Sequence, residues 1–316
     1  MSAWPRFAAA LYGWGWEQRR AAYARGWATP ERVASRVVSI GNLTVGGAGK
    51  TTLTLHLAAR ARAAGLAVAV VGRRYRPGPR GRGDEEELYR ARLGDAAVFA
   101  GRSKLECAHR AASAGAKLVL VDDGFSHWAL ARDLDVVLLD ASDLWGGGRL
   151  LPAGRLREPR RALQRAEVVV VSRLPDDAAP AEWLERVRPY APAARLAAGR
   201  HRVTGVRDPA GGEVPARGAA HVVTATGNPR AVEASAREAG FEPVRLSAYR
   251  DHHWFTGEEA AREARAAGEA TLLVTAKDAV RWPAGAPRAP HVLEVAWEWI
   301  AGGDAVERRV FEGAGA

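Results

Sequence analysis

A glycine-rich loop that ends in Gly-Lys-Thr follows a short apolar run that is typical of a buried strand. Residues 37–40 form that run, and the loop closes at Lys50 and Thr51, directly before a helical pattern. In this context backbone N–H groups surround phosphates, the lysine reaches the β- and γ-phosphate oxygens, and the threonine hydroxyl ligates Mg²⁺. The sequence therefore predicts a phosphate loop, with an ordinary glycine turn and a surface lysine as the alternative. The predicted loop consists of Thr44, Val45, Gly46, Gly47, Ala48, Gly49, Lys50 and Thr51.

Two adjacent carboxylates follow a second apolar run, residues 118–121. Asp122 and Asp123 end that run, and His127 lies in the polar loop beyond them. In P-loop enzymes an acid at such a strand end helps to hold Mg²⁺, although many strand-end aspartates only cap a turn. Beside a phosphate loop, the pattern predicts a magnesium site that Thr51 and Asp122 share.

The sequence does not match the motifs of a GTPase. Asp122-Asp123-Gly124 lacks the Asp-x-x-Gly spacing, and Thr275-Ala276-Lys277-Asp278 places the lysine directly before the aspartate. Guanine recognition is therefore not predicted.

Three further clusters are more polar than a plain scaffold requires. Residues 83–87 begin a predicted helix with acidic residues, which the helix dipole favours and which could serve only as a charged cap. Residues 146–159 form a long loop rich in glycine and arginine, a composition typical of a lid or a phosphate clamp. Residues 251–255 contain two histidines with too few neighbouring ligands for zinc, which favours a catalytic or binding histidine.

Composition limits the possible partners. The 316 residues carry a net charge of +10, and only four of the 46 basic residues are lysines: Lys50, Lys104, Lys117 and Lys277. The positive charge suits anionic lipid, phosphorylated substrates or nucleic acid, but no nucleic-acid-binding motif is present, so no nucleic-acid partner is expected. The single cysteine, Cys107, excludes a disulfide framework, a cysteine-based zinc site and an iron–sulfur cluster held by this chain alone.

The elements that must position these residues alternate between strands and helices, which predicts an α/β fold with a mostly parallel sheet. The predicted strands of the first part are 37–40, 67–71, 96–100, 118–121, 136–139 and 167–171, and its predicted helices are 51–64, 84–93, 103–114 and 160–165. A smaller second α/β domain is predicted from strands 220–225, 243–247 and 271–275, helices 230–239 and 256–267, and a short helix from Asp278. Strands 195–206 and 291–300 flank it and could pair as a two-stranded linker. The expected domains are 28–200 and 201–300, followed by a tail, 301–316.

The first 27 residues hold seven of the 23 aromatic residues, interleaved with arginines. This composition predicts a helix in a membrane interface, with a helix packed on the protein body as the alternative. Charged residues within the segment argue against a signal peptide, and no run of the sequence is long and apolar enough for a membrane span.

The chain resembles the tetraacyldisaccharide 4′-kinase family, the lipid A kinases of Gram-negative bacteria. Its motifs match those of the family in order along nearly the whole chain: Gly41 to Thr51, Gly83-Asp84-Glu85, Asp122 to His127, Gly148 to Pro159, Gly227-Asn228-Pro229, Asp251 to Phe255, and Thr275-x-Lys277-Asp278. Two positions depart from the family pattern: Thr52 replaces a proline, and Arg74 replaces a glycine near the acceptor site.

The resemblance implies ATP- and Mg²⁺-dependent phosphorylation of the 4′-hydroxyl of an acylated glucosamine disaccharide 1-phosphate. It also implies two α/β/α domains with the active site in the cleft between them, and peripheral attachment to the cytoplasmic face of the bacterial inner membrane, with no obligate protein partner. A P-loop ATPase that acts as a nucleotide-dependent switch is the rival interpretation.

The resemblance also implies roles for single residues. Lys50 would act on the phosphates, and Asp84, helped by His252 from another domain, would accept the proton of the sugar hydroxyl. The residues expected to close over the nucleotide are Arg157 and Glu158, and those expected to bind the lipid substrate are Tyr75, Asp123, His127 and Arg149.

Overall fold

The computed structural model describes residues 4–315 and shows two compact units. Unit 1 consists of the residues up to Arg73, of Leu93–His201 and of the residues from Trp297 onward. Unit 2 consists of Arg74–Arg92 and Arg202–Ala296.

The helices and strands alternate along the chain, as the apolar pattern predicts. The strands are β1 (Arg36–Asn42), β2 (Val68–Arg73), β3 (Val98–Gly101), β4 (Leu118–Asp122), β5 (Leu134–Asp140), β6 (Val168–Ser172), β7 (Arg195–Arg207), β8 (Glu213–Val214), β9 (Gly218–Thr224), β10 (Phe241–Ala248), β11 (Thr271–Thr275) and β12 (His291–Ala301). The α-helices are α1 (Trp4–Ala24), α2 (Lys50–Ala63), α3 (Asp84–Leu93), α4 (Lys104–Ser113), α5 (Pro180–Val187), α6 (Pro229–Ala239), α7 (Gly257–Ala267), α8 (Ala276–Ala279) and α9 (Gly303–Phe311).

Unit 1 is built on a parallel sheet with the strand order β7-β6-β5-β1-β4-β2-β3. Every residue of β4 and of β6 is buried, because strands covered on both faces become continuous apolar runs. The end of β12, from Trp297 onward, belongs to unit 1. It lies beside β7, and Trp297 contacts Gly199 there. The α/β class and the mostly parallel sheet are thus confirmed.

Unit 2 has its own parallel strands in the order β10-β9-β11-β12. Successive residues of β9 alternate between two apolar clusters: Val222 belongs to one and Val223 to the other. Both faces of these strands are therefore covered, as expected for α/β layering. The short strand β8 pairs antiparallel with β7.

Besides the unpredicted strand β8, the structure differs from the predicted elements in three helical segments. Residues 160–165 form a 3₁₀-helix after Pro159 rather than an α-helix. Helix α5 was not predicted, because its segment reads as a Pro/Ala-rich connection. Helix α9 occupies part of the predicted tail, and its Val306 and Val310 are buried.

Asp84 belongs to unit 2, together with His252. The prediction that these two residues lie in different domains is therefore wrong. Residues 74–92 leave unit 1 after β2 and return to it before β3, and their side chains make contacts such as that of Asp84 with His252 inside unit 2. Sequence order alone assigns them to the first domain. The predicted domain limits otherwise stay predictions.

Helix α1 forms the start of unit 1, and none of its residues is buried. One of its sides contacts the protein: Tyr12 donates a hydrogen bond to the carbonyl of Arg157 at 2.9 Å, and Trp16 and Tyr23 pack against Trp128. Within residues 4–315, no helix has the length and apolar character needed to cross a membrane.

Candidate active site

The predicted phosphate loop connects β1 to α2. Gly46 and Gly49 have φ angles of 117° and 88°, in the left-handed region that side chains disfavour. A Cβ atom at Gly49 would lie 2.5 Å from Nε2 of His201. The two glycines therefore allow turns and a close approach that residues with side chains disfavour, and α2 begins directly at Lys50.

Lys50 is held by oxygen atoms at the end of β1 and β4. Its Nζ donates a 2.9 Å hydrogen bond to Oδ1 of Asn42 and lies 3.6 Å from Oδ1 of Asp123. Nδ2 of Asn42 in turn donates to the carbonyl of Thr44 at 2.7 Å. Thr44 stands where the phosphate-loop motif Gly-x-x-x-x-Gly-Lys-Thr has its first glycine, and this hydrogen bond ties Thr44 to the end of β1.

The paired carboxylates occupy the end of β4 next to β1, where Asp122 is opposite Ile40 in the strand register. Asp122 is buried, whereas Asp123 turns out of the strand with a φ angle of 52°. Arg157 donates two hydrogen bonds of 2.7 Å to the Asp123 carboxylate. Lys104, absent from the predicted site, donates to the Asp123 carbonyl at 2.6 Å.

These cations decide the charge of Asp123. Burial raises the pKa of its carboxyl, but the Arg157 hydrogen bonds and the charges of Lys50 and Lys104 outweigh burial and hold the pKa well below its usual range. Asp123 is therefore ionised, and its carboxylate is paired with Arg157. Asp122 remains the better candidate ligand for a cation.

The donor set fits magnesium in kind. Mg²⁺ prefers oxygen ligands and is held by one or two carboxylates together with substrate phosphates and water. The Thr51 hydroxyl and the Asp122 carboxylate supply such oxygens at the ends of the loop and of β4. No group of three or more His, Cys, Asp or Glu side chains suited to a metal exists in the described part of the chain.

Glu158, which follows Arg157 in the chain, is buried. It accepts a 2.6 Å hydrogen bond from Oγ of Ser126 and a 2.8 Å hydrogen bond from Arg165. The Arg165 guanidinium lies 4.3 Å from the ring centres of both Phe125 and Trp128. The contacts of Glu158 fix the loop after β4, and its predicted contact with nucleotide stays a prediction.

His127 and Arg149, two predicted substrate-binding residues, lie in different surroundings. Burial and the nearby charges of Lys104 and Arg132 lower the pKa of His127 to about 4, so its imidazole is neutral at neutral pH. Arg149 is exposed and borders a cleft of about 420 Å³ beside α1. The cleft is lined by Arg6, Ala9, Ala10, Arg149, Leu150 and Ala153.

A second cluster lies in unit 2, where Asp84 and His252 meet. Oδ2 of Asp84 lies 2.8 Å from Nδ1 of His252, 3.3 Å from Nη1 of Arg281 and 3.8 Å from Nζ of Lys277. The His252 ring meets the ring of Tyr75 edge to face. The structure thus brings three of the predicted residues together, namely Asp84, His252 and Tyr75.

Asp84 is an ionised carboxylate at neutral pH. Burial alone raises its pKa, but the His252 hydrogen bond and the charges of Lys277 and Arg281 lower it to about 2. Burial likewise lowers the pKa of Lys277, but the carboxylates of Glu85 and Asp84 outweigh burial and raise it. The cluster is therefore a network of fixed charges.

A buried ion pair between Arg281 and Asp278 supports this network. Arg281 has no exposed side-chain surface, and its Nη2 lies 2.5 Å from Oδ1 of Asp278. Asp278 also accepts hydrogen bonds from the hydroxyls of Thr224 and Thr275, at 2.9 and 2.7 Å. The roles of Lys277 and Arg281 were not predicted: scarcity of lysine could have pointed to Lys277, whereas no sequence signal distinguishes Arg281 among 42 arginines.

A parallel sheet with a phosphate loop after one strand and a buried aspartate at the end of the adjacent strand defines a P-loop nucleotide-binding protein. A sequence model of one family, "Tetraacyldisaccharide-1-P 4'-kinase", matches residues 3–309, and the chain belongs to this family.

Individual relatives agree. The chain is 41% identical to a tetraacyldisaccharide 4'-kinase of Anaeromyxobacter sp. (strain K), with 96% of this chain and 86% of that protein covered. It is 34% identical to the enzyme of the same name from Halorhodospira halophila, with 86% and 81% covered. The fold is similar to a crystal structure of "apo" form LpxK from Aquifex aeolicus in complex with ATP, with a TM-score of 0.72, 22% identity and 96% of each chain covered.

Proposed function

We propose that this protein transfers the γ-phosphoryl group of ATP to the 4′-hydroxyl of an acylated glucosamine disaccharide 1-phosphate. The observation that carries the proposal beyond nucleotide binding is the 2.8 Å contact between Asp84 and His252. A nucleotide-dependent switch has no need of a buried carboxylate paired with an imidazole, whereas transfer to a sugar hydroxyl needs a group that accepts its proton.

The phosphate loop binds the triphosphate in this proposal. Lys50 leaves Asn42 and donates to the β- and γ-phosphate oxygens, while the loop amides hold the remaining oxygens. Thr51 and Asp122 hold Mg²⁺, which neutralises phosphate charge when bound. Because Asp123 stays paired with Arg157, it orients that arginine rather than binding metal.

Asp84 accepts the proton of the 4′-hydroxyl as the new O–P bond forms and the bond to the β-phosphate oxygen breaks. A carboxylate with a pKa of about 2 is a weak base, so the proton is transferred late, when the hydroxyl has already become acidic. His252 orients the carboxylate through Nδ1, and Lys277 and Arg281 keep it ionised. Tyr75, whose ring meets that of His252, contacts the sugar in this proposal.

Helix α1 attaches the protein to the cytoplasmic face of the inner membrane in this proposal. Trp4, Phe7, Leu11 and Trp14 are between 54% and 70% exposed and recur at helical spacing along one side. The other side packs on unit 1 through Trp16 and Tyr23. Exposed aromatic residues next to basic ones suit the headgroup region, and the cleft at Arg149 offers apolar walls and two guanidinium groups to a phosphorylated lipid.

Membrane attachment is tested by flotation with vesicles that contain phosphatidylglycerol. Replacement of Trp4, Phe7 and Trp14 by serine should weaken partitioning into the vesicles at least about tenfold. A tenfold change corresponds to about 1.4 kcal/mol, which is less than the free energy of burying one such side chain. Val244, exposed by 58% outside α1, provides the control Val244→Ser. Equal partitioning of the triple variant and the control would contradict the role of α1.

The reaction is tested with ATP labelled in the γ-position and a tetraacylated disaccharide 1-phosphate. We expect label in the lipid only when protein, Mg²⁺ and lipid are all present, and the variant Asp84→Asn should lose most of the transfer while it still binds ATP. ATP hydrolysis that is independent of the lipid and unaffected by Asp84→Asn would favour the nucleotide switch.

A further inference from the structure

The arginine-rich loop after β5 places one side chain directly on the phosphate loop. Nε and Nη2 of Arg155 donate to the carbonyl of Val45, at 3.3 and 3.0 Å. A Cβ atom at Gly46 would lie 2.6 Å from Nη2 of Arg155. The guanidinium therefore lies against the two residues that follow Thr44 in the loop.

The backbone at Arg155 is fixed to the same loop. The N–H of Val45 donates to the carbonyl of Arg155 at 2.8 Å, and the N–H of Arg157 donates to the carbonyl of Leu43 at 2.7 Å. The N–H of Arg155 itself donates to the carbonyl of Gly146 at 3.0 Å. These bonds hold the Cα atom of Arg155 beside the phosphate loop whatever its side chain does.

The side chain itself is only weakly held. It is 56% exposed, and the ion pair recorded for it within residues 4–315 is with Asp143, at 3.8 Å from Nη1 and 41% exposed. By contrast, Arg157, two residues later, is 21% exposed and makes two 2.7 Å hydrogen bonds to Asp123. Arg155 is thus a cation with spare N–H donors at the phosphate loop.

A guanidinium at this position matches a known need of phosphoryl transfer. Negative charge spreads over the γ-phosphoryl oxygens in the transition state, and an arginine supplied within the same chain can stabilise it. Its planar set of donors binds two phosphate oxygens at once, which a lysine ammonium does not do. Residues 154–159 match the family pattern Gly-x-Leu-Arg-Glu-Pro, in which x is the position of Arg155. The family resemblance therefore assigns Arg155 no role.

We propose that Arg155 is a further catalytic residue, which exchanges the carbonyl of Val45 for the γ-phosphoryl oxygens and stabilises their charge during transfer. This inference rests on the proposed function. The Val45 contact holds the guanidinium within reach of the loop, and the fixed backbone means that only side-chain rotation is needed.

The test compares Arg155→Ala, Arg155→Gln and Arg155→Lys in the full chain. Glutamine can still donate a hydrogen bond to Val45 but carries no charge, so it separates support of the loop from charge stabilisation. Arg186→Gln, which removes an exposed arginine of α5, is the control for net charge.

Binding is measured by calorimetry with ADP, with the non-hydrolysable ATP analogue AMP-PNP and with ADP plus aluminium fluoride, all with Mg²⁺. In the alanine and glutamine variants we expect ADP affinity within about twofold of the wild type and affinity for the other two ligands at least about tenfold lower, as the loss of a charge-assisted hydrogen bond implies. Arg155→Lys should keep only part of the wild-type affinity for these two ligands. The control should bind all three ligands as the wild type does.

Kinetics complete the test. The alanine and glutamine variants should lower kcat by at least about 10²-fold, towards the 10³-fold effect of arginines that act on the γ-phosphate. Their KM for ATP should rise by about the factor by which AMP-PNP affinity falls, because KM approaches the dissociation constant when chemistry is slow. Equal loss of ADP and AMP-PNP affinity, or wild-type behaviour of Arg155→Gln, would reduce Arg155 to a support of the loop and overturn the proposal. If the wild type transferred no phosphate to the lipid, the proposed function would fail, while the binding comparison would still decide on Arg155.

Discussion

Replacing His201 should change how the stability of the protein depends on pH. The imidazole of His201 packs against Gly49 of the phosphate loop and meets the ring of Trp297 edge to face. Burial and, to a smaller extent, the positive charge of Arg173 outweigh the opposing effects of Asp140 and of the Gly49 backbone, and together they lower the pKa of His201 from 6.5 to about 4. His201 is therefore neutral in the folded protein down to pH values at which it is charged in the unfolded chain.

The sign and size of the effect follow from proton linkage. Between pH 6.5 and 4 the unfolded chain binds more protons at this site, so the free energy of unfolding falls as the pH falls. With pKa values of 6.5 unfolded and about 4 folded, this one group removes about 2 kcal/mol between pH 8 and pH 5. The contribution is fully present above pH 6.5 and is lost on acidification.

The variant His201→Gln removes the titrating group at similar volume. Urea unfolding at pH 8 measures the packing cost of the substitution, about 1 kcal/mol, because the imidazole is neutral in both states there. Between pH 8 and pH 5 the variant should then lose about 2 kcal/mol less of its free energy of unfolding than the wild type. Parallel pH profiles of the two proteins would refute the burial of a neutral His201 against the phosphate loop.

Two further predictions concern the candidate active site. Lys50→Ala should abolish most phosphate transfer without changing the free energy of unfolding by more than about 1 kcal/mol. Lys50→Arg should also transfer phosphate poorly, since a planar guanidinium does not replace a compact ammonium. Transfer assays and urea unfolding check both variants. Asp84→Asn should lower kcat about 10²-fold or more, and His252→Ala should lower it less. The double variant should be little worse than Asp84→Asn alone, because the two residues act through one contact. Steady-state kinetics with both substrates varied measures the losses.

Each of these predictions has a defined counter-result. Near-normal turnover of Lys50→Ala would remove the phosphate-loop assignment. For the pair, losses that multiply would show independent roles for Asp84 and His252. The adjacent His253, whose Nε2 contacts Glu259 at 2.8 Å, provides the control His253→Ala, which should leave kcat within about threefold.

Buried strands and the phosphate loop were predictable because their signals are local. The run Leu118–Asp122 is buried at every residue, and such strands are recognised from continuous apolar runs alone. The phosphate loop combines two glycines of left-handed conformation with a following helix, a pattern fixed within residues 44–51. The acidic residues after β4 could be placed beside β1 because the ends of adjacent parallel strands meet.

The surroundings of Asp84 were not predictable in the same way. Its partners His252, Lys277 and Arg281 are more than 160 residues away in sequence, and without a motif nothing local indicates which basic residue approaches which carboxylate. The membership of residues 74–92 in unit 2 has the same origin, since it depends on tertiary contacts rather than on chain order. Helix α9 was missed because its nine residues give only a short periodic signal, with Val306 and Val310 four positions apart.

The most direct test of the account is the identity of the product made by the wild-type protein from ATP and the tetraacylated disaccharide 1-phosphate. Mass spectrometry and ³¹P NMR of the purified lipid should show one added phosphate, as a second phosphomonoester coupled to the proton at the 4′ carbon. A lipid phosphorylated at another position, or unchanged lipid accompanied by free phosphate from ATP, would contradict the proposed kinase function.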